Sequence, residues 1–188
     1  VVRALADSPG VELFAYPTTR QSDALTQDFR TLFAHWRPIP GLNDDEAAAG
    51  VRADGIDLLV DLSVHTGYNR LGLFARQPAP VQVTWLGYFG TTGLPQIDYL
   101  LAGPWDVPPA EEVDFTETIW RLPHTRLCFS RIEEDIRPAV LPALANGFIT
   151  FGCFNNPRKL TDAVVARWVS LLARLPAARL FLKSKALV

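Results

Sequence analysis

The sequence predicts an α/β protein with mostly parallel sheets, and three observations predict it. Short apolar runs alternate with segments of helical period, the pattern of right-handed β–α–β units. Residues 56–62 are apolar almost without interruption, as a parallel strand buried on both faces requires. Several apolar runs also empty into polar turns, which is where ligands bind in an open α/β sheet.

In chain order, residues 11–16 alternate like a strand. Residues 22–36 place Leu25, Phe29, Leu32, Phe33 and Trp36 on one helical face, ended by Pro38 and Pro40. An Ala-rich helix is expected over 46–54, followed by the apolar strand. A short helix over 69–76 stops at Pro78 and Pro80, and strands follow over 81–86 and 97–102. Residues 103–109 are Pro-rich, 111–114 are acidic, and 118–121 suit a short strand. These elements, residues 1–129, form part of a first α/β domain. Residues 130–146 show little periodicity and read as an interdomain connection.

A second α/β unit, truncated early, spans residues 147–188. Phe148, Ile149 and Phe151 open it as a strand. Its helix carries Val164, Trp168, Leu171, Leu172 and Leu175 on one stripe, closed by Pro176, and residues 179–183 return as a strand. There is no internal repeat.

Composition narrows the function classes. Of 188 residues, 48% are apolar and 11% aromatic, enough to bury a core and too many for disorder. The net charge of −2, with no dense Lys/Arg block, argues against nucleic acid or an anionic membrane as partner. Cys128 and Cys153 are too few and too far apart for a disulfide framework or a zinc site. No run is long enough to span a bilayer and the first residues lack a signal-peptide layout, so a cytoplasmic protein is expected. The chain has no initial Met, begins in a helix-like run and stops just after a strand, so it reads as a fragment. No HExxH pair, Cys/His cluster or Gly-x-Ser-x-Gly elbow is present, which disfavours metal hydrolysis and serine-nucleophile chemistry.

Three turns can carry chemistry. In residues 61–67, His65 carries an imidazole that can orient a sugar hydroxyl or take part in proton transfer, with Asp57 or Asp61 as a carboxylate. Equally, Ser63 and Thr66 can cap the next helix and leave His65 solvated. In residues 87–93, Gly87, Gly90 and Gly93 permit positive φ and close backbone approach. The free amides and the Thr91 and Thr92 hydroxyls suit a neutral polyol, although a tight turn needs the same glycines. Neither the dinucleotide fingerprint nor the P-loop spacing is matched. In the third turn, Asn155, Asn156, Arg158 and Lys159 precede a helix with Thr161 at its N-cap and Asp162 in its first turn. A lysine beside a helix N-terminus suits a phosphate, and the same residues suit an ordinary β–α turn. His124 lies just before the connection, where a cleft position is open to it. His35, near a helix end, reads as structural.

Together these turns resemble the catalytic region of the protein O-GlcNAc transferase family and its bacterial homologues. The shared text runs from Asp54-Gly55-Ile56-Asp57 through Asp61-Leu62-Ser63, His65-Thr66 and Asn69-Arg70-Leu71. It continues through Arg76-Gln77-Pro78-Ala79-Pro80, Trp85-Leu86-Gly87-Tyr88, Gly90-Thr91-Thr92-Gly93 and Asp98-Tyr99. Leu122-Pro123-His124-Thr125, Phe151-Gly152-Cys153-Phe154-Asn155-Asn156 and Lys159-Leu160 complete it.

The resemblance implies a GT-B architecture and an inverting, metal-independent transfer of N-acetylglucosamine from UDP-GlcNAc to protein Ser or Thr. The sugar nucleotide is then a substrate and no cofactor is needed. It implies that Lys159 neutralises the leaving UDP, by stabilising charge that develops in the transition state. Gly90, Thr91, Thr92, Gly93, Asn155 and Asn156 then fall on the donor side. Ser63, Thr66, His65 and His124 fall near the acceptor, with His65 positioning a hydroxyl.

The sequence also departs from the family. Val64 stands where bacterial relatives tend to have glycine, and Gly103 where Asp is expected. The tetratricopeptide helices, the upstream histidine motif and the downstream His-Thr-Thr-Gly segment are missing, so the fragment alone is expected to be inactive. Relatives that use GDP-fucose, or that transfer glucose to Asn, keep the same fold. A non-catalytic α/β binding module is the alternative from a different class.

Overall fold

The computed structural model describes residues 1–129 and 136–184. The chain divides into two compact units, Val1–Ser130 and Arg131–Val188. The first unit begins with helix α1 (Val2–Ala6) and a two-residue strand β1 (Phe14–Ala15). β1 pairs in parallel with β2 (His35–Trp36), with Phe14 opposite His35.

Helix α2 (Ala24–Arg30) lies between these strands and carries a capping box between Asp23 and Thr26. The helix expected over 22–36 therefore ends six residues early. The Thr31 hydroxyl donates back to the Asp28 carbonyl at 2.7 Å, a local bond that competes with helix continuation. His35 then stacks on Phe14 with ring centroids 4.2 Å apart, so tertiary pairing overrides the helical period. His35 belongs to a strand, with its Nε2 2.9 Å from a Glu12 carboxylate oxygen.

Helix α3 (Asp44–Ala53) starts in a second capping box, Asn43 with Glu46, and three acidic residues fill its positive first turn. The main sheet follows, in the order β3 (Leu58–Asp61), β4 (Val81–Thr84), β5 (Tyr99–Ala102), β6 (Thr118–Arg121), with every pairing parallel. Helix α4 (Leu71–Phe74) connects β3 to β4, and a 3-10 helix, Pro109–Asp114, lies between β5 and β6. Arg70 ties α4 to the start of α3 through Asp44 at 2.9 Å and the Ile39 and Leu42 carbonyls.

The core lies on one side of this sheet, where Ala47 and Val51 of α3 and Leu73 and Phe74 of α4 pack with Leu59 and Ile97. Leu100, Ala102 and Val107 form a second cluster. The expectation that the apolar run through β3 is buried on both faces is not met. Leu59 and Asp61 are buried, but Leu58 and Val60 are 53% and 38% exposed. The described helices cover one face, and alternate residues of each strand point to opposite faces.

In the second unit, helix α5 (Pro142–Asn146) occupies the end of the expected connection, whose residues 130–135 lie outside those described. Strands β7 (Thr150–Cys153) and β8 (Arg179–Leu182) pair in parallel across helix α6 (Asp162–Arg174), the β–α–β unit the sequence predicts. Phe151, Trp168, Leu171, Leu172 and Leu180 line the apolar hollow between them.

Candidate active site

Because β3 to β6 run parallel, the loops after each of them leave the same edge of the sheet. Asp61, the last residue of β3, is 4% exposed and anchors that edge. Its carboxylate accepts from the Ser63 amide at 3.1 Å, the Val64 amide at 3.0 Å and the Thr84 hydroxyl at 2.9 Å. Asp61 is thus committed to holding the loop and is not a free carboxylate for proton transfer. Thr66 does not cap the next helix either: its hydroxyl donates to the Ser63 carbonyl at 2.7 Å, and α4 starts without a side-chain cap.

Val64 is fully buried at φ +45°. A β-branched residue there is strained by about 1–3 kcal/mol and persists only when its surroundings enforce the conformation. The Asp61 bonds to the Ser63 amide and to the amide of Val64 itself supply that enforcement. Val64 at the position of an expected glycine therefore gives a held loop.

His65 follows directly and is exposed. Its Nε2 lies 2.9 Å from the Thr91 carbonyl oxygen. A carbonyl can only accept, so Nε2 carries the proton and Nδ1 of the neutral ring is left as an acceptor. The ring meets Tyr88 edge-on, centroids 6.0 Å apart, and Tyr88 stacks on Phe89.

Two glycines of the turn after β4 have a demonstrable reason. A Cβ on Gly87 would sit 2.3 Å from the Leu62 carbonyl oxygen, and Gly93 adopts φ +72°. Gly90 has an ordinary negative-φ conformation and only the Tyr88 ring beside it. The Thr91 and Thr92 hydroxyls, which suit a polyol by type, are already engaged within the protein. Both donate to Glu117, which also accepts from the Thr92 amide at 2.7 Å. Burial opposes ionisation of Glu117, but the bonds from Thr92 and Thr91 outweigh it and hold the carboxyl below its usual range. Sequence reasoning missed Glu117, since a lone Glu before a short strand carries no signal that separates it from Glu111 and Glu112 nearby.

His124 is elsewhere on the edge, after β6. With Thr125 it faces Gly103, Trp105 and Asp106 across a shallow hollow. Asp106 pairs with Arg126 at 3.2 Å and accepts from the Gly103 amide, filling the space beside that glycine. The structure therefore brings His65 onto the Thr91 carbonyl, joins Thr91 and Thr92 through Glu117, and leaves His124 with a different group.

In the second unit the turn between β7 and α6 contains a 3-10 turn, Pro157–Lys159, and α6 follows with Thr161 at its N-cap, as the sequence predicts. The Asn156 side chain accepts from the Arg158 amide at 3.0 Å, and Thr161 caps α6 through the Val164 amide. Asn155 and Lys159 are exposed, and Lys159 makes no ion pair with a described residue. Among the described residues no group of three His, Cys, Asp or Glu is placed to hold a metal ion, and no helix is long and apolar enough to cross a membrane.

A parallel sheet with its polar loops gathered on one edge defines an α/β protein of the class that binds ligands at that edge. Residues 5–131 match the model of Glycosyl transferase family 41, and the chain belongs to that family. It is 38% identical over 186 residues to the probable UDP-N-acetylglucosamine–peptide N-acetylglucosaminyltransferase SPINDLY of Petunia hybrida, covering 97% of this chain and 20% of that protein. SPINDLY of Arabidopsis thaliana is 40% identical over 178 residues, covering 93% of this chain and 20% of its own length. The chain thus spans about a fifth of the length of these relatives. A solved structure of a lysine-to-methionine mutant of the Thermobaculum terrenum O-GlcNAc transferase matches 96% of this chain and 34% of its own. It does so at 42% identity and a TM-score of 0.85. The fold is accordingly the α/β, parallel-sheet fold of a GT-B O-GlcNAc transferase, of which this chain supplies about a third.

Proposed function

We propose that the chain is part of an inverting glycosyltransferase that moves N-acetylglucosamine from UDP-GlcNAc to Ser or Thr hydroxyls of proteins. The observation that carries this reading is the His65 ring held by the Thr91 carbonyl at the sheet edge of a family 41 chain. With Nε2 occupied, Nδ1 is available to accept from an acceptor hydroxyl and so orient it for attack. His65 is assigned this positioning role, and not that of the general base. In the second unit, Lys159, which makes no ion pair with a described residue, supplies positive charge beside the α6 N-terminus for the leaving diphosphate. Asn155 and Asn156 belong to the donor side of this assignment, and residues 90–93 to the sugar.

A cation and backbone amides balance diphosphate charge in this reading without a metal. Both cysteines are free thiols, in keeping with a reducing, cytoplasmic setting. The test is a calorimetric titration of the whole protein with UDP and then GDP in the presence of EDTA. Binding of UDP and not GDP is expected. Preference for GDP would move the donor to GDP-fucose, and binding of neither would leave a non-catalytic module.

A further inference from the structure

We propose that Glu117 is a positioning residue that fixes the His65 ring by way of Thr91 and Thr92. Calling His65 the acceptor-side group rests on the function proposed above, but the link from Glu117 to His65 does not. Glu117 sits one residue before β6 and is 4% exposed, so its carboxylate is removed from water. It takes donations from the Thr92 amide at 2.7 Å, the Thr92 hydroxyl, and the Thr91 hydroxyl at 2.7 Å.

Thr91 is the hinge of the argument. Its hydroxyl is held by Glu117 and in turn accepts from the Gly93 amide at 3.0 Å. Its own carbonyl accepts from His65 Nε2 at 2.9 Å. One residue therefore joins a buried carboxylate beside β6 to an exposed imidazole after β3. A buried charge with three donors is worth more than neutral bonds, so the turn is fixed by its least mobile partner. Removing the carboxylate orphans the Thr92 amide and hydroxyl donors and leaves the Thr91 hydroxyl only the exposed Thr116 hydroxyl to donate to, at 3.0 Å, which lets the carbonyl swing and frees the His65 ring to change tautomer and orientation.

A nitrogen-15 spectrum of the His65 ring in the full chain tests this. The wild type is expected to show one neutral tautomer, with the proton on Nε2. Glu117→Ala should show tautomer averaging, while the backbone amides of β3 and β4 stay where they were. Glu117→Gln keeps one acceptor oxygen for Thr92 and should retain the single tautomer. A Glu117→Ala protein that is folded and keeps the wild-type ring signal would overturn the assignment. If Glu117→Ala does not fold, Glu117→Asp decides in its place. The shorter side chain withdraws the carboxylate and should lose the signal that Gln retains; a wild-type ring in Glu117→Asp is the overturning result.

Turnover of the whole protein gives a second readout. Glu117→Ala is expected to cost roughly 10–100-fold in kcat/KM through misplacement of the acceptor group. In a His65→Ala background the same change should cost no more than about twofold, because residues acting through one contact are non-additive. Fully additive losses would overturn the proposal. Should the whole protein transfer no sugar, the transferase reading fails by itself, and the ring spectrum still decides whether Glu117 holds His65.

Discussion

The turns that carry the proposed chemistry are built in opposite ways in the two units. In the first unit, residues 61–66 and 90–93 are held from beneath by two buried carboxylates, Asp61 and Glu117, which take six donor contacts between them. In the second unit, the turn through Lys159 has only an Asn156 contact to the Arg158 amide and the Thr161 cap, and Asn155, Asn156, Arg158 and Lys159 are all exposed. A group that must present a lone pair in one direction needs a rigid frame, because orientation is its contribution. A cation that answers a diffuse diphosphate charge acts over distance and tolerates a looser one.

This contrast breaks most sharply at Lys159. Lys159→Ala is expected to lower kcat of the whole protein by roughly 10²–10³-fold, the scale of losing one electrostatic donor to a transition state. The same change should leave stability within about 0.5 kcal/mol, since it removes an exposed side chain. Steady-state turnover beside a urea melt checks both halves. Unchanged turnover would remove the phosphate role. His65→Ala comes next, at about 10²-fold in kcat/KM for the acceptor with UDP affinity unchanged. A loss seen only in UDP titration would put His65 on the wrong substrate.

Much of this arrangement is legible in the sequence, and the unread part has a common cause. The strands through Leu59, Val83, Leu100 and Phe151 are marked by local apolar runs, α3 by its Ala-rich composition, and α6 by its apolar stripe and the Thr161 cap. His65 and the turn over residues 90–93 stand out because polar and glycine residues interrupt those runs. What escapes are effects of distant partners. Strand β2 is hidden because its aromatic spacing also fits a helix, until Phe14 stacks on His35. Glu117 is hidden because the donors that define it lie 25 and 26 residues away. The exposed Leu58 and Val60 are the reverse case, where an apolar run implies two covered faces and the described helices cover one.

Asp61 sharpens the comparison through stability. Asp61→Ala leaves two buried backbone donors and the Thr84 hydroxyl without their acceptor and releases the strained Val64, at an expected cost of about 2–3 kcal/mol. Denaturant midpoints of wild type and variant measure it. Hydrogen exchange at the Val64 amide should rise by more than exchange in α3. Equal increases throughout the first unit would mean that Asp61 supports the whole sheet and not the loop alone.

The smallest expected effect is on acid stability, and it separates Glu117 from the carboxylates around it. Its folded-state pKa lies below the ordinary value of 4.5, because hydrogen bonds from Thr92 and Thr91 overcome the cost of burial. A carboxyl depressed in the folded state contributes stability that is complete above the unfolded-state pKa and lost as pH falls through the folded value. The wild type should therefore lose stability progressively below about pH 4.5, where the unfolded chain binds the extra proton. Glu117→Gln cannot titrate, so its urea midpoint should fall less steeply over that range while lying lower at neutral pH. Parallel acid slopes for wild type and Glu117→Gln would mean that the charge on Glu117 does not hold the turn, and that its Thr91 and Thr92 contacts hold equally well with a neutral acceptor.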